Sequence, residues 1–281
     1  MEYLNMGMKY QIPEFLGMCN TIFEIVERQQ ITSPDFLIWF MLYPKYRSFA
    51  YEKSYQQPDF QRHYAQSGIY RAKQGKHTYT VMAGKSNFLY FHNGTIKLEM
   101  KVAGSFCEHR VFRAEHMTIE KQGTVHLHQT MKGWYYLPFE ERPETSDWWH
   151  MDHSKRPKKL GPDMEIDVYV TPVSGGIDVR VKTSGVTGAP WRVELAFSGI
   201  EYIASEHVML PINGSEVLVI KDSVLEAYNA KDCILIGPGF GEHRFTEGKE
   251  DSETKNAGCA TVYFTDYTEF DRTIQIRNRG E

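Results

Sequence analysis

The alternation of apolar and charged side chains between residues 96 and 102 most limits what this chain can fold into. The apolar members are Ile96, Leu98, Met100 and Val102, and the charged members are Lys97, Glu99 and Lys101. A period of two is that of a β-strand with one dry face and one wet face. Asn93-Gly94 precedes this run, and both residues tolerate the positive φ that a type I′ turn needs. The sequence therefore predicts an antiparallel hairpin here.

The same pattern recurs through most of the chain after residue 67. Turn sequences such as Gln74-Gly75 and Gln122-Gly123 separate short runs of alternating or apolar residues. The candidate strands are 68–73, 76–83, 87–92, 95–103, 108–120, 124–130, 133–138, 164–172, 177–181, 191–198, 207–212, 215–221, 231–236, 259–265 and 272–277. Regularly spaced short strands are typical of a sandwich or barrel. We predict a mostly β protein in which residues 67–281 form a large antiparallel β-sandwich.

Residues 1–50 are predicted to form a short α-helical segment ahead of the sandwich, joined to it by a linker over 44–66. The apolar stripe of a helix over 11–30 consists of Ile12, Phe15, Leu16, Cys19, Ile22, Phe23 and Val26. Ser33 and Pro34 indicate the start of a second helix, which reaches residue 42. That second helix is apolar on nearly all sides, which is typical of a helix that packs against a partner.

Composition excludes some classes of partner. The 281 residues carry a net charge of −4, so the chain has no basic field for nucleic acid or an anionic membrane. Four cysteines lie far apart, which favours buried thiols in a reducing compartment over a disulfide framework. The N-terminal residues lack a secretion signal and no run reaches membrane-spanning length. We expect a cytoplasmic protein.

His126 and His128 are the most informative local signal. Residues i and i+2 of a strand share a face, so both imidazoles project together. Such a pair could flank a ligand, hold a metal ion such as zinc, or simply face solvent. Because no further ligand follows at a familiar spacing, we predict no cofactor and keep zinc as the alternative.

Aromatic residues and ionisable groups cluster over the next twenty-odd residues. The cluster comprises Trp134, Tyr135, Tyr136, Trp148, Trp149, His150, Asp152 and His153. Exposed tryptophan is costly unless it binds something or is covered. These side chains either form the wall of a binding cleft or pin the long loop onto the sheet.

The glycine-rich stretch 237–244 ends in His243 and Arg244. It lacks the Lys-Ser/Thr ending of a phosphate loop and contains a proline. Tight turns at the glycines would present His243 and Arg244 in a fixed direction, either to a bound carboxylate or to an internal acidic residue. No serine-hydrolase, zinc-protease or dinucleotide-binding motif is present.

Several motifs resemble the C-terminal β-sandwich region of heparinase II/III-like polysaccharide lyases. They are SGIYRAKQGK (67–76), AGKSNFLYFHNG (83–94), GWYYLPF (133–139), GGIDV (175–179) and GPGFGEHRF (237–245). The resemblance covers residues 35–281 and implies a supersandwich-like fold packed on an α-helical toroid, of which the helices at 11–42 would be a remnant. It also implies a zinc site, with His126 and His128 as the nearest candidates. The toroid residues that abstract a proton in that family have no counterpart here, so the lyase activity is not carried over.

We expect the chain to bind poly- or oligosaccharides, including those that contain uronate. Rings would stack on sugars and cationic or imidazole groups would bond hydroxyls and carboxylates. The residues assigned to this site are His126, His128, Trp134, Tyr136, Trp148, Trp149, Arg156, His243 and Arg244. One alternative is a lyase or mutarotase-like enzyme with His126 or His243 as general base. Another is a structural role, in which the apolar helix docks on a second copy or a helical partner domain.

Overall fold

A computed structural model describes residues 2–31, 38, 41–48, 55–106, 109–245 and 258–279. The chain divides into two compact units, Met1–Pro58 and Asp59–Glu281. The first contains the helices, and the second contains every strand of the described residues. The predicted fold class is confirmed, because the protein is mostly β with large antiparallel sheets and a short N-terminal helical segment.

The helical unit contains α1 (Glu2–Tyr10) and α2 (Pro13–Arg28). The predicted stripe matches α2, whereas α1 was not predicted. Leu4, Cys19 and Tyr46 form the buried centre of this unit. Of the second predicted helix, Ile38, Met41 and Leu42 are helical and exposed, and its other residues lie outside the described part of the chain. No helix among the described residues is long and apolar enough to cross a membrane.

The strands of the described residues are numbered in chain order. They are β1 (Phe60–Tyr64), β2 (Ile69–Gln74), β3 (His77–Met82), β4 (Leu89–Asn93), β5 (Ile96–Phe106), β6 (His109–Val111), β7 (Met117–Ile119), β8 (Val125–Met131), β9 (Trp134–Tyr136), β10 (Lys158–Leu160), β11 (Met164–Val173), β12 (Gly176–Ser184), β13 (Pro190–Ser198), β14 (Tyr202–Ala204), β15 (Met209–Pro211), β16 (Val217–Val219), β17 (Leu225–Tyr228), β18 (Cys233–Gly237), β19 (Ala260–Tyr267) and β20 (Asp271–Asn278).

Two nine-stranded sheets make up most of the second unit. The first sheet has the order β1-β2-β3-β4-β5-β13-β19-β16, with β6 paired to β5. The second has the order β15-β14-β17-β18-β20-β12-β11-β8-β7. All of these pairings are antiparallel except that of β16 with β19. A separate two-stranded sheet joins β9 to β10.

One apolar core lies between the inner faces of the two sheets. It includes Leu98 and Met100 from β5, Val168 from β11 and Ile274 from β20, all fully buried. Burial of one such side chain contributes about 1.5–3 kcal/mol. Along β11 every second residue from Met164 to Val170 is buried, as the two-residue period predicts.

The strands that the sequence analysis missed are polar or short. β1 lies in the predicted linker and exposes every residue after Phe60, while all three residues of β10 are exposed. β14 and β17 are short, and they too were missed. The strand predicted over 108–120 is instead divided into β6 and β7, and the pairing of β5 with β6 shifts register between Ala103 and Phe106.

A buried carboxylate ties a turn of the first sheet to a turn of the second. Asp232, which precedes β18, accepts hydrogen bonds from the backbone and the hydroxyl of Thr95, both at 2.8 Å, and forms an ion pair with Lys76. Burial raises the pKa of Asp232, but the hydrogen bonds from Lys76 and Thr95 outweigh it and hold this pKa below its usual range. The carboxylate therefore stabilises the fold in its ionised form.

Asp232→Asn is expected to lower the free energy of unfolding by about 2 kcal/mol near neutral pH, because it removes a buried charge that three donors satisfy. Because the pKa of Asp232 is lower in the folded chain than in the unfolded chain, its contribution to the free energy of unfolding is complete above about pH 4. That contribution is lost as the pH falls through the folded-state pKa. Urea unfolding across pH is the measurement, and Asp222→Asn, at an exposed aspartate, is the control. Equal urea midpoints for the two variants would show that the Asp232 carboxylate does not stabilise the contact between the two turns.

Candidate functional site

His126 and His128 lie on the same face of β8, as predicted, and both converge on one carboxylate. The pairing of β8 with β11 places Asp167 opposite His128 and Tyr169 opposite His126. One oxygen of Asp167 lies 2.7 Å from Nε2 of His126 and 3.0 Å from Nδ1 of His128. We call these three residues the imidazole–carboxylate group.

Neighbouring side chains hold both rings in place. Nε2 of His128 lies 3.2 Å from Glu165, which also accepts a hydrogen bond from Thr130. The ring of His126 stacks on Tyr169 with centroids 4.3 Å apart and planes 9° from parallel. A cleft of about 590 Å³ opens beside both histidines, and Arg113, His116 and Thr118 also line it.

Sequence reasoning missed Asp167, which lies on the strand that pairs with β8. The signal that could have found it is the alternation of β11, which places Glu165, Asp167 and Tyr169 on the wet face. The alternation shows that these three side chains share the polar face of β11, but it does not show that β8 is the neighbouring strand. Residues 39 apart in sequence meet here only through strand pairing.

The imidazole–carboxylate group has the donor set of a zinc site. Burial raises the pKa of Asp167, but hydrogen bonds from the two imidazoles outweigh it, so the pKa lies below its usual range. An ionised carboxylate and two imidazoles suit zinc, which binds nitrogen and oxygen ligands with tetrahedral geometry. The protein fills all four positions in structural sites and leaves one open in catalytic sites. The three ligand atoms lie within 4.8 Å of one another, so these residues fit such an ion.

A second group surrounds Arg156 in the segment 134–160, which we call the Trp149 loop. The Arg156 guanidinium lies over the rings of Tyr136, Phe139 and Trp148, between 5.0 and 5.5 Å from their centroids. Its Nε also donates to the carbonyl of Leu137 at 2.8 Å. Trp148 and Tyr136 therefore pack around one cation within the loop.

Trp149 has a different environment in the same loop. Its backbone N–H donates to Asp147 at 3.1 Å, and the same carboxylate bonds His150 at 2.8 Å. These bonds fix the turn Trp148–His150 while the side chain of Trp149 stays 87% exposed. A cleft of about 710 Å³ lies in this loop, and its lining includes Glu140, Arg142, His150, Asp152 and Lys155.

Trp134 lies at the base of the Trp149 loop, on β9. Its ring contacts Tyr136 edge-on at 4.9 Å between centroids. The ammonium group of Lys158, on the paired strand β10, lies 3.8 Å from the centre of the Trp134 ring. The two-stranded sheet thus anchors both ends of the loop through a cation–aromatic contact.

His243 and Arg244 lie apart from both groups. His243 is buried, with Nε2 donating to the carbonyls of Trp191 at 2.8 Å and Asp266 at 3.1 Å. Its Nδ1 accepts the backbone N–H of Phe245 at 3.2 Å. Backbone groups thus occupy both ring nitrogens, while Arg244 is exposed. None of the contacts among the described residues joins this pair to His126 or to the Trp149 loop.

No family model, curated protein or solved structure matches this chain. The resemblance to heparinase II/III-like lyases therefore stays a prediction. A functional assignment has to come from the chemistry of the groups described above.

Arg156→Ala is expected to speed cleavage of the Trp149 loop by chymotrypsin about tenfold in limited proteolysis. The variant loses cation–aromatic contacts and a backbone hydrogen bond, which together contribute about 1–2 kcal/mol against local opening. Arg142→Ala, at an exposed arginine of the same loop, is the matched control and should leave the rate unchanged. Equal cleavage rates for the two variants would show that Arg156 does not order the loop.

Proposed function

We propose that this β-sandwich protein binds acidic, uronate-containing saccharides through the Trp149 loop. The observation that carries the proposal is an almost fully exposed indole on a hydrogen-bonded turn. Tyr135 and Trp148 of the same loop are also exposed, and several exposed aromatic side chains on one segment are typical of a binding surface. An indole offers a flat apolar face on which the C–H groups of a pyranose can stack.

The cleft in the Trp149 loop offers both cations and carboxylates to a ligand: Arg142 and Lys155 line it together with Glu140, Glu141, Glu144 and Asp152. Arg142 and Lys155 can pair with a uronate carboxylate, and Arg142 can do so with both oxygens. Glu140 and Asp152 can accept hydrogen bonds from sugar hydroxyls. Small-ligand sites usually combine such polar groups with apolar side chains, which Phe139, Pro143 and Met151 supply here.

Trp149→Ala is expected to weaken saccharide binding about tenfold, because loss of one stacked aromatic costs roughly 1–2 kcal/mol. The measurement is isothermal titration against a panel of uronate-containing and neutral oligosaccharides. Tyr64→Ala, at an exposed aromatic on β1, is the matched control. The proposal is wrong if no oligosaccharide binds the parent protein, or if both variants bind as the parent does.

A second candidate function is proton abstraction by His126 in a lyase or mutarotase-like reaction. A general base needs a concave position and a partner that orients it. His126 lines a cleft and its Nε2 lies 2.7 Å from Asp167. Nδ1 of His126 lies 3.5 Å from a carboxylate oxygen of Glu120. Glu120 could therefore pass the abstracted proton on to solvent.

The base and zinc-ligand roles of His126 exclude each other, since both use an imidazole lone pair. If zinc binds, His126, His128 and Asp167 would hold it, and it would supply Lewis-acid stabilisation of a ligand carboxylate. His116 and Thr118 would then line the cleft beside the ion.

Asp167→Asn is expected to reduce any lyase activity at least about 100-fold, because the general base loses its orienting charge. The assay is the ultraviolet absorbance of unsaturated uronate formed from polyuronates, and Asp163→Asn, at an exposed aspartate paired with Lys132, is the control. Activity that survives a chelator assigns the base role, whereas tight zinc in the purified protein assigns the metal role. Full activity of Asp167→Asn would contradict both roles.

A further inference from the structure

The second sheet ends in an open edge at β7. This strand is the last in the order of its sheet, and among the described residues it pairs only with β8. Thr118 and Ile119 are exposed, as are His116 and Glu120 on either side of the strand. We call residues 116–120 the β7 edge. An unpaired edge presents free backbone groups with which a second strand can pair.

The free backbone groups of the β7 edge belong to Met117 and Ile119. The backbone N–H of Glu120 donates to the carbonyl of Thr124 at 2.8 Å, where the chain turns into β8. Hydrogen-bonded pairs alternate with non-hydrogen-bonded pairs along an antiparallel ladder, so Thr118 is the next residue whose backbone bonds β8. The backbone groups of Met117 and Ile119 therefore point away from β8.

The side chains of the β7 edge are complementary to a second copy of themselves. In an antiparallel pairing about Thr118, His116 of one copy lies opposite Glu120 of the other. The same pairing places Met117 of one copy opposite Ile119 of the other. Opposite residues point to the same face, so the outer face joins an imidazole to a carboxylate and the inner face joins two apolar side chains. Thr118 meets its own counterpart on the two-fold axis.

The exposure of these side chains leaves them accessible to a second copy. Met117 packs against the core of the sandwich but is only partly buried, and Ile119 is 36% exposed. The Glu120 side chain is 46% exposed beside His126. β7 contains neither the proline nor the charged side chains that protect many edge strands from pairing.

The other edge strands of the two sheets lack this self-complementarity. Pairing β1 with its own copy about its centre would place Arg62 opposite Arg62, and like charges in that position are destabilising. β15 ends in Pro211, which has no N–H to donate. Pairing β16 about its centre would place Glu216 opposite Ile220, and Glu216 already accepts the backbone N–H of Asn213 at 2.7 Å.

We propose that the β7 edge is the interface of a homodimer, in which β7 of one copy pairs antiparallel with β7 of the second about a two-fold axis at Thr118. Such a contact uses the same surface on both copies and closes after two of them. His116 and Thr118 line the cleft of about 590 Å³, so the dimer brings Glu120 of the second copy to the rim of that cleft. The interface does not depend on saccharide binding at the Trp149 loop.

Disulfide trapping of the full chain tests the pairing and its register. Opposite residues of a non-hydrogen-bonded pair have Cα atoms about 4.5 Å apart, which a disulfide can span. We expect Thr118→Cys to form a covalent dimer in oxidised glutathione, with the 118–118 linkage identified by mass spectrometry. His116→Cys, at an equally exposed position of the same edge, is the matched control, because its counterpart lies about 14 Å away. Thr118→Cys should cross-link at least about tenfold faster.

Sedimentation equilibrium measures the dimer without a cross-link. The N–H of Ile119 faces away from β8, so Ile119→Pro keeps the pairing of β7 with β8 but removes a donor to the second copy. We expect this variant to raise the dissociation constant of the dimer at least about tenfold.

A charge exchange separates pairing from a structural effect of substitution. His116→Glu places two carboxylates opposite each other and should weaken the dimer, because like charges directly opposite are destabilising. Adding Glu120→His to the same chain restores an imidazole opposite a carboxylate and should restore the dimer. A merely structural loss at residue 116 would not be repaired by a second substitution at residue 120.

Three outcomes would overturn the proposal. The first is a parent protein that stays monomeric at the highest concentration that remains in solution. The second is a dimer that survives Ile119→Pro and is not restored by the charge exchange, since it would use another surface. The third is equal cross-linking of Thr118→Cys and His116→Cys. Dimerisation and saccharide binding are measured separately, so either proposal can fail without the other.

Discussion

The register of antiparallel strand pairing is the constraint on which every site in this protein depends. It brings Asp167 to His128 across 39 residues of sequence, and Tyr263 to Glu194 across 69. Because side chains alternate between faces, a slip of one residue would send each of these groups into the core and bring apolar side chains out. The buried apolar residues of β5 and β11 resist that slip, so the core that stabilises the sandwich also fixes the chemistry on its outer faces.

Sequence alone predicted the elements in which burial follows a simple period. Residues 96–100 of β5 and residues 164–170 of β11 alternate between buried and less buried positions, as predicted. The hairpin before β5 was also predicted correctly, but only Gly94 of its predicted type I′ dipeptide has positive φ, and Asn93 is the last residue of β4. β1 and β10 are polar edge strands whose pairing is decided by a neighbour, so nothing local marks them. The same reason explains why the imidazole pair could be predicted but its carboxylate could not.

Lys101 and Glu194 show a second limit of reading a strand by its pattern. Lys101 and Glu194 look like the solvent-facing half of an alternation, yet both are buried. Alternation distinguishes the two faces of a strand but does not say that the polar face is wet.

Two places on the molecule combine a cost to stability with a means of binding. Trp149 exposes an indole to water, and His126 and His128 share one oxygen of Asp167. Neither of these arrangements is what packing alone would select, and local departures of this kind concentrate at functional sites.

Disulfide cross-linking of β8 to β11 tests the strand register most directly. Thr130 lies opposite Glu165, within the range that a disulfide spans, whereas Asp167 is diagonal to Thr130 and about 7–8 Å away. The account predicts that oxidation cross-links the double variant Thr130→Cys with Glu165→Cys, identified by mass spectrometry of the linked peptides, and leaves Thr130→Cys with Asp167→Cys unlinked. A cross-link only in the second variant would contradict the register, and with it the imidazole–carboxylate group.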